Sequence, residues 1–213
     1  MSAGTITLID YEAGNLASLE GALERLRLPY VRAASPDQAA ESGPIVLPGV
    51  GHFEAAQRSL QERGWWGLLP ALVAEGRPLL GICLGLQLLA EGSEEAPRTP
   101  GLGLVPGLVR RLGPGVKVPN MGWSRVRRAS DHPALPDAEG AWLYFVHSYA
   151  LEPSADTVYL ADHGRPFAAV EARGKVMGFQ PHPEKSGPDG LRLLQAALTW
   201  MGATAIAPEE PCL

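Results

Sequence analysis

Four short runs in the first half of the chain are apolar on both faces and leave almost no polar side to turn toward water: Thr5–Asp10 (TITLID), Tyr30–Ala34 (YVRAA), Ile45–Leu47 and Leu79–Ile82. Runs of this length and composition read as buried strands. Helical patterns separate them. In LASLEGALERL, the residues Leu16, Leu19, Leu23 and Leu26 share one face, and Asn15 is placed to cap its start. Ser35-Pro-Asp opens a short helix, and helical pattern follows over Glu54–Arg63, around Trp66–Glu75 and over Leu84–Glu91. The order βαβαβαβα implies an α/β fold with a mostly parallel sheet flanked by helices, doubly wound if its crossovers take the usual right hand. Ligands in such sheets lie beyond the carboxyl ends of the strands. The two least ordinary loops, PGVGHF after Leu47 and the turn around Cys83, both fall there.

The second half changes character. From Gly101 to Ala172 short strand-like runs alternate with turns: GLVRRL, SRVRRA, AWLYFVHSYAL, TVYLADHG and FAAVEARG. They read as an antiparallel addition to the sheet. VMGFQPHPEKS gives one more strand and a loop, and Pro188–Met201 is a last helix with Leu191, Leu194, Leu198 and Met201 on one side. No internal repeat or linker interrupts the pattern, so the 213 residues are expected to form a single domain over 1–213. A formal net charge of -5 and the lack of a long basic block argue against nucleic acid or an anionic membrane as the main partner. Arg125, Arg127 and Arg128 read as a solvated strand face. No stretch is long and apolar enough for a membrane span, and MSAGTITLID lacks the pattern of a secretory signal. The two cysteines, Cys83 and Cys212, make no disulfide framework, so a cytoplasmic location is expected. Cys212 has no assigned role.

Cys83 sits in Gly-Ile-Cys-Leu-Gly, at the end of a strand and the start of a helix. That is the form of a nucleophile elbow. Gly81 and Gly85 let the backbone pack closely. The following helix N-terminus favours a thiolate, and the N–H of Leu84 is a natural oxyanion donor. A buried cysteine in a plain strand-to-helix turn is the competing reading of the same residues.

A thiolate nucleophile calls for a base, and the base for a group that orients it. His182 lies just past a strand in GFQPHPEKS, stiffened by Pro181 and Pro183. In an extended segment residues i and i+2 project to one side, so Glu184 can reach the His182 ring. A surface turn with an incidental histidine is the alternative. Gly49 and Gly51 in PGVG permit backbone conformations that could add a second oxyanion donor, although glycine in such turns is common. His52 is a weaker base, His147 reads as a packing residue within a strand, and His132 and His163 read as surface residues in turns.

These motifs, PGVG at 48–51, GICLGLQLL at 81–89 and PHPE at 181–184, in this order and spacing, resemble the class I, or triad, glutamine amidotransferases. IDYEAGNLASL, LPGVGHF, PNMGW at 119–123, YFVHSYAL at 144–151 and GFQPHPEKS at 178–186 are similar to the glutaminase subunits of imidazole glycerol phosphate synthase, from histidine biosynthesis. The resemblance implies glutamine as substrate, with Cys83 as nucleophile, His182 as acid and base, and Glu184 as its orienter. It implies an oxyanion hole from Leu84 and the loop Gly49, Val50 and Gly51, and places Gln87, Glu95, Ser148 and Tyr149 at the amino and carboxylate ends of glutamine. Gln87, one helical turn past Cys83 on the same face, fits that role. The resemblance also implies a (β/α)8-barrel cyclase subunit as partner, to which ammonia passes out of contact with water. Asn120, Met121 and Trp123 are then the interface candidates; otherwise they read as an exposed loop with half-buried aromatic packing. Neither a cofactor nor a metal is expected.

Overall fold

The structure, a computed structural model, describes residues 4–12 and 16–206. The expected cap at Asn15 and the thiol of Cys212 lie outside the described residues. The elements run β1 (Ile6–Ile9), α1 (Leu16–Arg25), β2 (Tyr30–Ala33), a 3-10 turn (Pro36–Gln38), β3 (Ile45–Leu47), α2 (Phe53–Glu62), α3 (Leu68–Ala74), β4 (Leu79–Ile82) and α4 (Leu84–Leu89). Then come β5 (Gly92–Ser93), β6 (Leu108–Arg111), β7 (Asn120–Arg125), β8 (Arg127–Arg128), β9 (Trp142–His147), β10 (Tyr149–Leu151), β11 (Thr157–Asp162), β12 (Pro166–Arg173) and β13 (Val176–Phe179). A 3-10 turn (Pro183–Lys185) and α5 (Gly187–Trp200) complete the described elements.

The main sheet has the order β2-β1-β3-β4-β13-β12-β11-β8. The strands from β2 to β13 are parallel, and the rest are antiparallel. The parallel strands β1, β3, β4 and β13 are buried along their whole length, which is why they read as continuous apolar runs. Two cores fill the two faces. On one, Leu19 and Leu23 of α1 and Leu194 and Leu198 of α5 meet Ile6 and Leu8. On the other, Phe53 and Leu60 of α2, Trp65 and Leu86 meet Ile9 and Leu47. The late strand β13 inserts beside β4 with Phe179 opposite Ile82. The residues that follow each strand, Gln180 and Cys83, therefore emerge at the same edge. This one pairing carries the His182 segment to the Cys83 turn across nearly half of the sequence.

Among the described residues, no helix is long and apolar enough to cross a membrane. Three expected runs take a different form. SRVRRA is divided between β7 and β8, which belong to different sheets, with Val126 turned into the core between them. AWLYFVHSYAL divides at Ser148, because β9 pairs with β7 while β10 pairs with β6. PNMGW is no loop: from Asn120 onward it is the start of β7. The arginines fit the solvated reading. Arg127 and Arg128 are exposed, Arg128 is ion-paired to Asp131 and Asp137, and Arg125 lies over the Trp142 ring, 5.2 Å from its centroid.

Candidate active site

Cys83 joins β4 to α4 with φ +54° and ψ -109°, a conformation that costs a residue with a Cβ on the order of 1–3 kcal/mol. Close packing holds it there. A Cβ on Gly85 would lie 1.9 Å from the Leu47 carbonyl oxygen, and one on Gly81 would lie 2.7 Å from the backbone of Gly85 and Leu86. The helix can therefore press onto β3 and β4 only if both positions are glycine. The Cys83 N–H donates to the Phe179 carbonyl at 2.6 Å, which ties the turn to β13. A strained, buried thiol at a strand end is an observation that a plain packing cysteine does not explain.

His182 Nδ1 lies 2.8 Å from Glu184 Oε1, and both side chains are almost fully buried. The two do not project from one extended segment as expected. His182 is extended, and the chain then turns at once into the 3-10 turn that carries Glu184. The His182 N–H donates to the Tyr144 carbonyl, and its carbonyl accepts from Ser186 Oγ at 2.6 Å, so the backbone is fixed on both sides. Burial disfavours the charged ring, but Cys83 and Glu184 outweigh it and push the His182 pKa up to about 10. The ring is thus protonated at neutral pH. A carboxylate binds Nδ1, while Nε2 is buried without a hydrogen-bond partner and is left for a reacting group.

Beyond Cys83 opens a cavity of about 290 Å³, lined by Val50, Gly51, Leu84, Gln87, Glu95, Ser148 and Tyr149. These seven residues, singled out from the sequence, come from four separate segments. Gln87 is buried, and its Nε2 donates to the Tyr149 carbonyl at 2.8 Å. Glu95 accepts from the Phe53 N–H at 2.8 Å through one carboxylate oxygen, which anchors the carboxylate at the start of α2. The oxyanion candidates are arranged differently from the expectation of free donors. The Leu84 N–H already donates to the Gly49 carbonyl at 3.3 Å. Behind that loop the buried Tyr11 hydroxyl donates to the Pro48 carbonyl at 2.8 Å, and a Cβ on Gly49 would come within 2.4 Å of the same hydroxyl.

The interface candidates part company. Along β7 the side chains alternate, so Met121 (66% exposed) and Trp123 (51%) stand out from the surface. Asn120 points the other way and is buried at 5% exposure, with Nδ2 3.3 Å from His147 Nε2. The exposure expected of all three thus holds for two. Trp123 packs edge-on against Tyr144, at 6.0 Å between centroids.

The family model of class-I glutamine amidotransferases matches residues 7–199. The chain belongs to this family. Curated amidotransferase relatives agree in length as well as sequence. Imidazole glycerol phosphate synthase subunit HisH of Halalkalibacterium halodurans is 46% identical over 198 residues, covering 88% of this chain and 92% of that one. The subunit of the same name from Symbiobacterium thermophilum is 45% identical, covering 89% and 91%. Among solved structures, a glutamine amidotransferase superposes with a TM-score of 0.75 at 20% identity, covering 94% of this chain and all of that one. PurLQS from Thermotoga maritima superposes with a TM-score of 0.71 at 19% identity, covering 93% and 99%. At these identities the two structures speak for the amidotransferase fold alone.

Around Cys83 lie further residues that sequence reasoning did not assign to the site. Gln180 is fully buried, and its Nε2 lies 3.6 Å from Cys83 Sγ. A polar residue placed directly after an apolar strand, at the edge where Cys83 emerges, was the available signal. His147 packs in β9 against Phe145 and Phe167, as a strand histidine should, yet it also lines the cavity. Tyr11 had only its position after β1 to mark it. The remaining histidines stand apart from the amidotransferase site. His52 caps α2, accepting from the Glu54 N–H. His132 and His163, expected at the surface, are half-buried. One packs edge-on against Trp200, and the other donates from Nε2 to the Lys117 carbonyl.

Proposed function

We propose that this chain is a cytoplasmic glutaminase subunit of imidazole glycerol phosphate synthase, one amidotransferase domain spanning 1–213, that supplies ammonia for histidine biosynthesis. The observation that carries the chemistry is the strained Cys83 turn, at the wall of a cavity with polar groups around it, together with the buried His182–Glu184 pair. The pathway rests on the relatives, which bear that synthase's name.

In this reading the Cys83 sulfur attacks the side-chain amide carbon of glutamine. The carbon–nitrogen bond breaks, and His182 gives its Nε2 proton to the departing ammonia. The resulting γ-glutamyl thioester is attacked by water, whose proton passes to His182 as the carbon–sulfur bond breaks and glutamate leaves. Glu184 keeps the ring turned so that Nε2 faces the reaction. Gln87, Glu95, Ser148 and Tyr149 hold the two charged ends of the substrate. The oxyanion would rest on Leu84 N–H and on the loop of Gly49, Val50 and Gly51.

The Leu84–Gly49 hydrogen bond supports a resting state that works poorly alone. Turning the Gly49–Val50 peptide would withdraw the carbonyl from Leu84 and present the Val50 N–H in its place, giving two donors in one motion. Binding of a barrel cyclase subunit against the exposed Met121–Trp123 face, with its phosphorylated ribulosyl substrate, is the event assigned to that turn. The cyclase would use the ammonia to form imidazole glycerol phosphate and an aminoimidazole carboxamide ribotide. A closed passage matters because ammonia in neutral water is mostly ammonium, which is no nucleophile.

The test is glutamine hydrolysis by the purified chain, alone and mixed with a barrel cyclase and its ribulosyl phosphate ligand. Strong stimulation by that pair is expected. High activity alone, or stimulation only by another synthase, would keep the glutaminase and discard the pathway. No hydrolysis in any mixture would remove both.

A further inference from the structure

We propose that Gln180 is a positioning residue for the nucleophile: it donates a hydrogen bond to the Cys83 sulfur and is itself held in that orientation by Gln87. The inference rests on the glutaminase reading above for its purpose and on a hydrogen-bond network for its direction.

The network fixes which end of each amide points where. The Tyr149 carbonyl can only accept. Gln87 lies 2.8 Å from it, so that end of Gln87 is the NH2 group. The same NH2 group lies 3.0 Å from the Gln180 side chain, which must therefore present its oxygen there. The NH2 of Gln180 is left facing Cys83 Sγ at 3.6 Å, within reach of a hydrogen bond to sulfur. The chain continues on the other side. His147 Nδ1 lies 2.9 Å from the Tyr149 carbonyl and so carries the proton, which makes Nε2 the acceptor for the Asn120 amide at 3.3 Å. From Asn120 on β7 to the sulfur, every donor and acceptor is assigned.

Gln180 has no exposed surface. Burying a primary amide is unfavourable unless its groups are used, and both of these are. A donor aimed at sulfur binds the anion more strongly than the neutral thiol. It also meets the sulfur when the thioester collapses and the electron pair of the carbon–sulfur bond returns to it. Preorganisation is the gain: the amide is set by β13 and by Gln87 before substrate arrives. Gln87 lines the cavity, so the residue that meets glutamine and the residue that meets the nucleophile share one hydrogen bond.

The titratable groups facing the sulfur are His182 with Glu184 behind it, Tyr11 beneath the Gly49 loop, and the neutral His147 on the cavity wall. Substitution at 180 leaves all of them in place; Gln180→Glu adds a carboxyl at the sulfur, so Gln180→Met is the variant that brings no new titratable group. The experiment is alkylation of Cys83 by iodoacetamide, followed by peptide mass so that Cys212 is counted separately. Gln180→Met keeps the volume and loses both groups. Gln180→Glu keeps an acceptor for Gln87 and loses the donor to sulfur. At pH 7 both are expected to alkylate about tenfold more slowly than the parent, and at pH 10 within about twofold of it. In complex with the cyclase, both should lose about tenfold in kcat, with KM rising only in Gln180→Met. Folded variants that alkylate at the parent rate at pH 7 would overturn the proposal. Should neither variant fold, Gln87→Met decides: it frees the Gln180 amide to turn and should slow alkylation about threefold, and an unchanged rate overturns the proposal. Absence of glutaminase activity in the parent complex would strike the proposed function instead and leave the alkylation result standing.

Discussion

The two halves of the molecule hold their functional residues by different means. In the parallel half, the Cys83 turn is fixed mainly by close packing, with one backbone hydrogen bond to Phe179. Gly81 and Gly85 let α4 lie close on β3 and β4, which holds the turn at its positive φ. In the antiparallel half and along β13, the fixing is done by buried polar side chains. Asn120, His147, Gln180 and His182 are each buried and each spoken for by a hydrogen bond. Packing gives a position that tolerates no change in volume. Hydrogen bonding gives a position that depends on protonation and can be rearranged. The Cys83 turn belongs to the first kind, and the buried polar residues around it belong to the second.

The comparison predicts where each kind of damage falls. Cys83→Ser should reduce glutamine hydrolysis by at least about 10³-fold while synthesis from added ammonium salts continues, because the scaffold does not depend on the sulfur. Loss of both activities would show that Cys83 serves the fold. Gly85→Ala should destabilise the chain by about 3 kcal/mol or more, read from urea denaturation, since its Cβ would meet the Leu47 carbonyl at 1.9 Å. A value under about 1 kcal/mol would mean that contact does not fix the turn.

The polar half should respond to pH where the packed half does not. Burial holds the His147 pKa down to about 4, against its usual 6.5, and the ring is neutral in the fold. Between those values the unfolded chain binds a proton that the folded chain refuses. The contribution is therefore complete above pH 6.5 and is lost as the pH falls toward 4, by about 3 kcal/mol. Denaturation midpoints that stay level across this window in the parent, or that fall as steeply in His147→Gln, would contradict it. The smallest effect on the isolated chain belongs to the exposed face. Met121→Ser should alter stability by no more than about 0.5 kcal/mol while weakening cyclase binding, measured by titration calorimetry.

The sequence was most informative where packing rules. The strands β3 and β4 are legible to the residue, because a strand buried on both faces has to be apolar throughout. The glycines around Cys83 were legible for the same reason. The polar half was harder to read. The run from Ala141 to Leu151 looks like one strand because its composition is uniform, and only the change of pairing partner at Ser148 divides it. Asn120 looked like a surface residue because asparagine usually is. The alternation of β7 that turns it inward, with Met121 and Trp123 turned outward, shows only once the segment is known to be a strand. Gln180 escaped notice because its partners, Cys83 and Gln87, are brought to it by the pairing of β13 with β4.

The hydrogen bond from Leu84 to the Gly49 carbonyl has a consequence for nitrogen thrift. A neutral bond of this kind is worth about 1 kcal/mol, which biases a two-state loop roughly fivefold. Such a latch is weak enough for one new contact from a docking protein to release. In the proposed cycle it supplies only part of the bias toward idleness in an unpartnered copy, because a fivefold preference by itself leaves about one copy in six ready. In that cycle the guard against waste costs little: Cys83 stays in place, and only the Gly49–Val50 peptide has to turn.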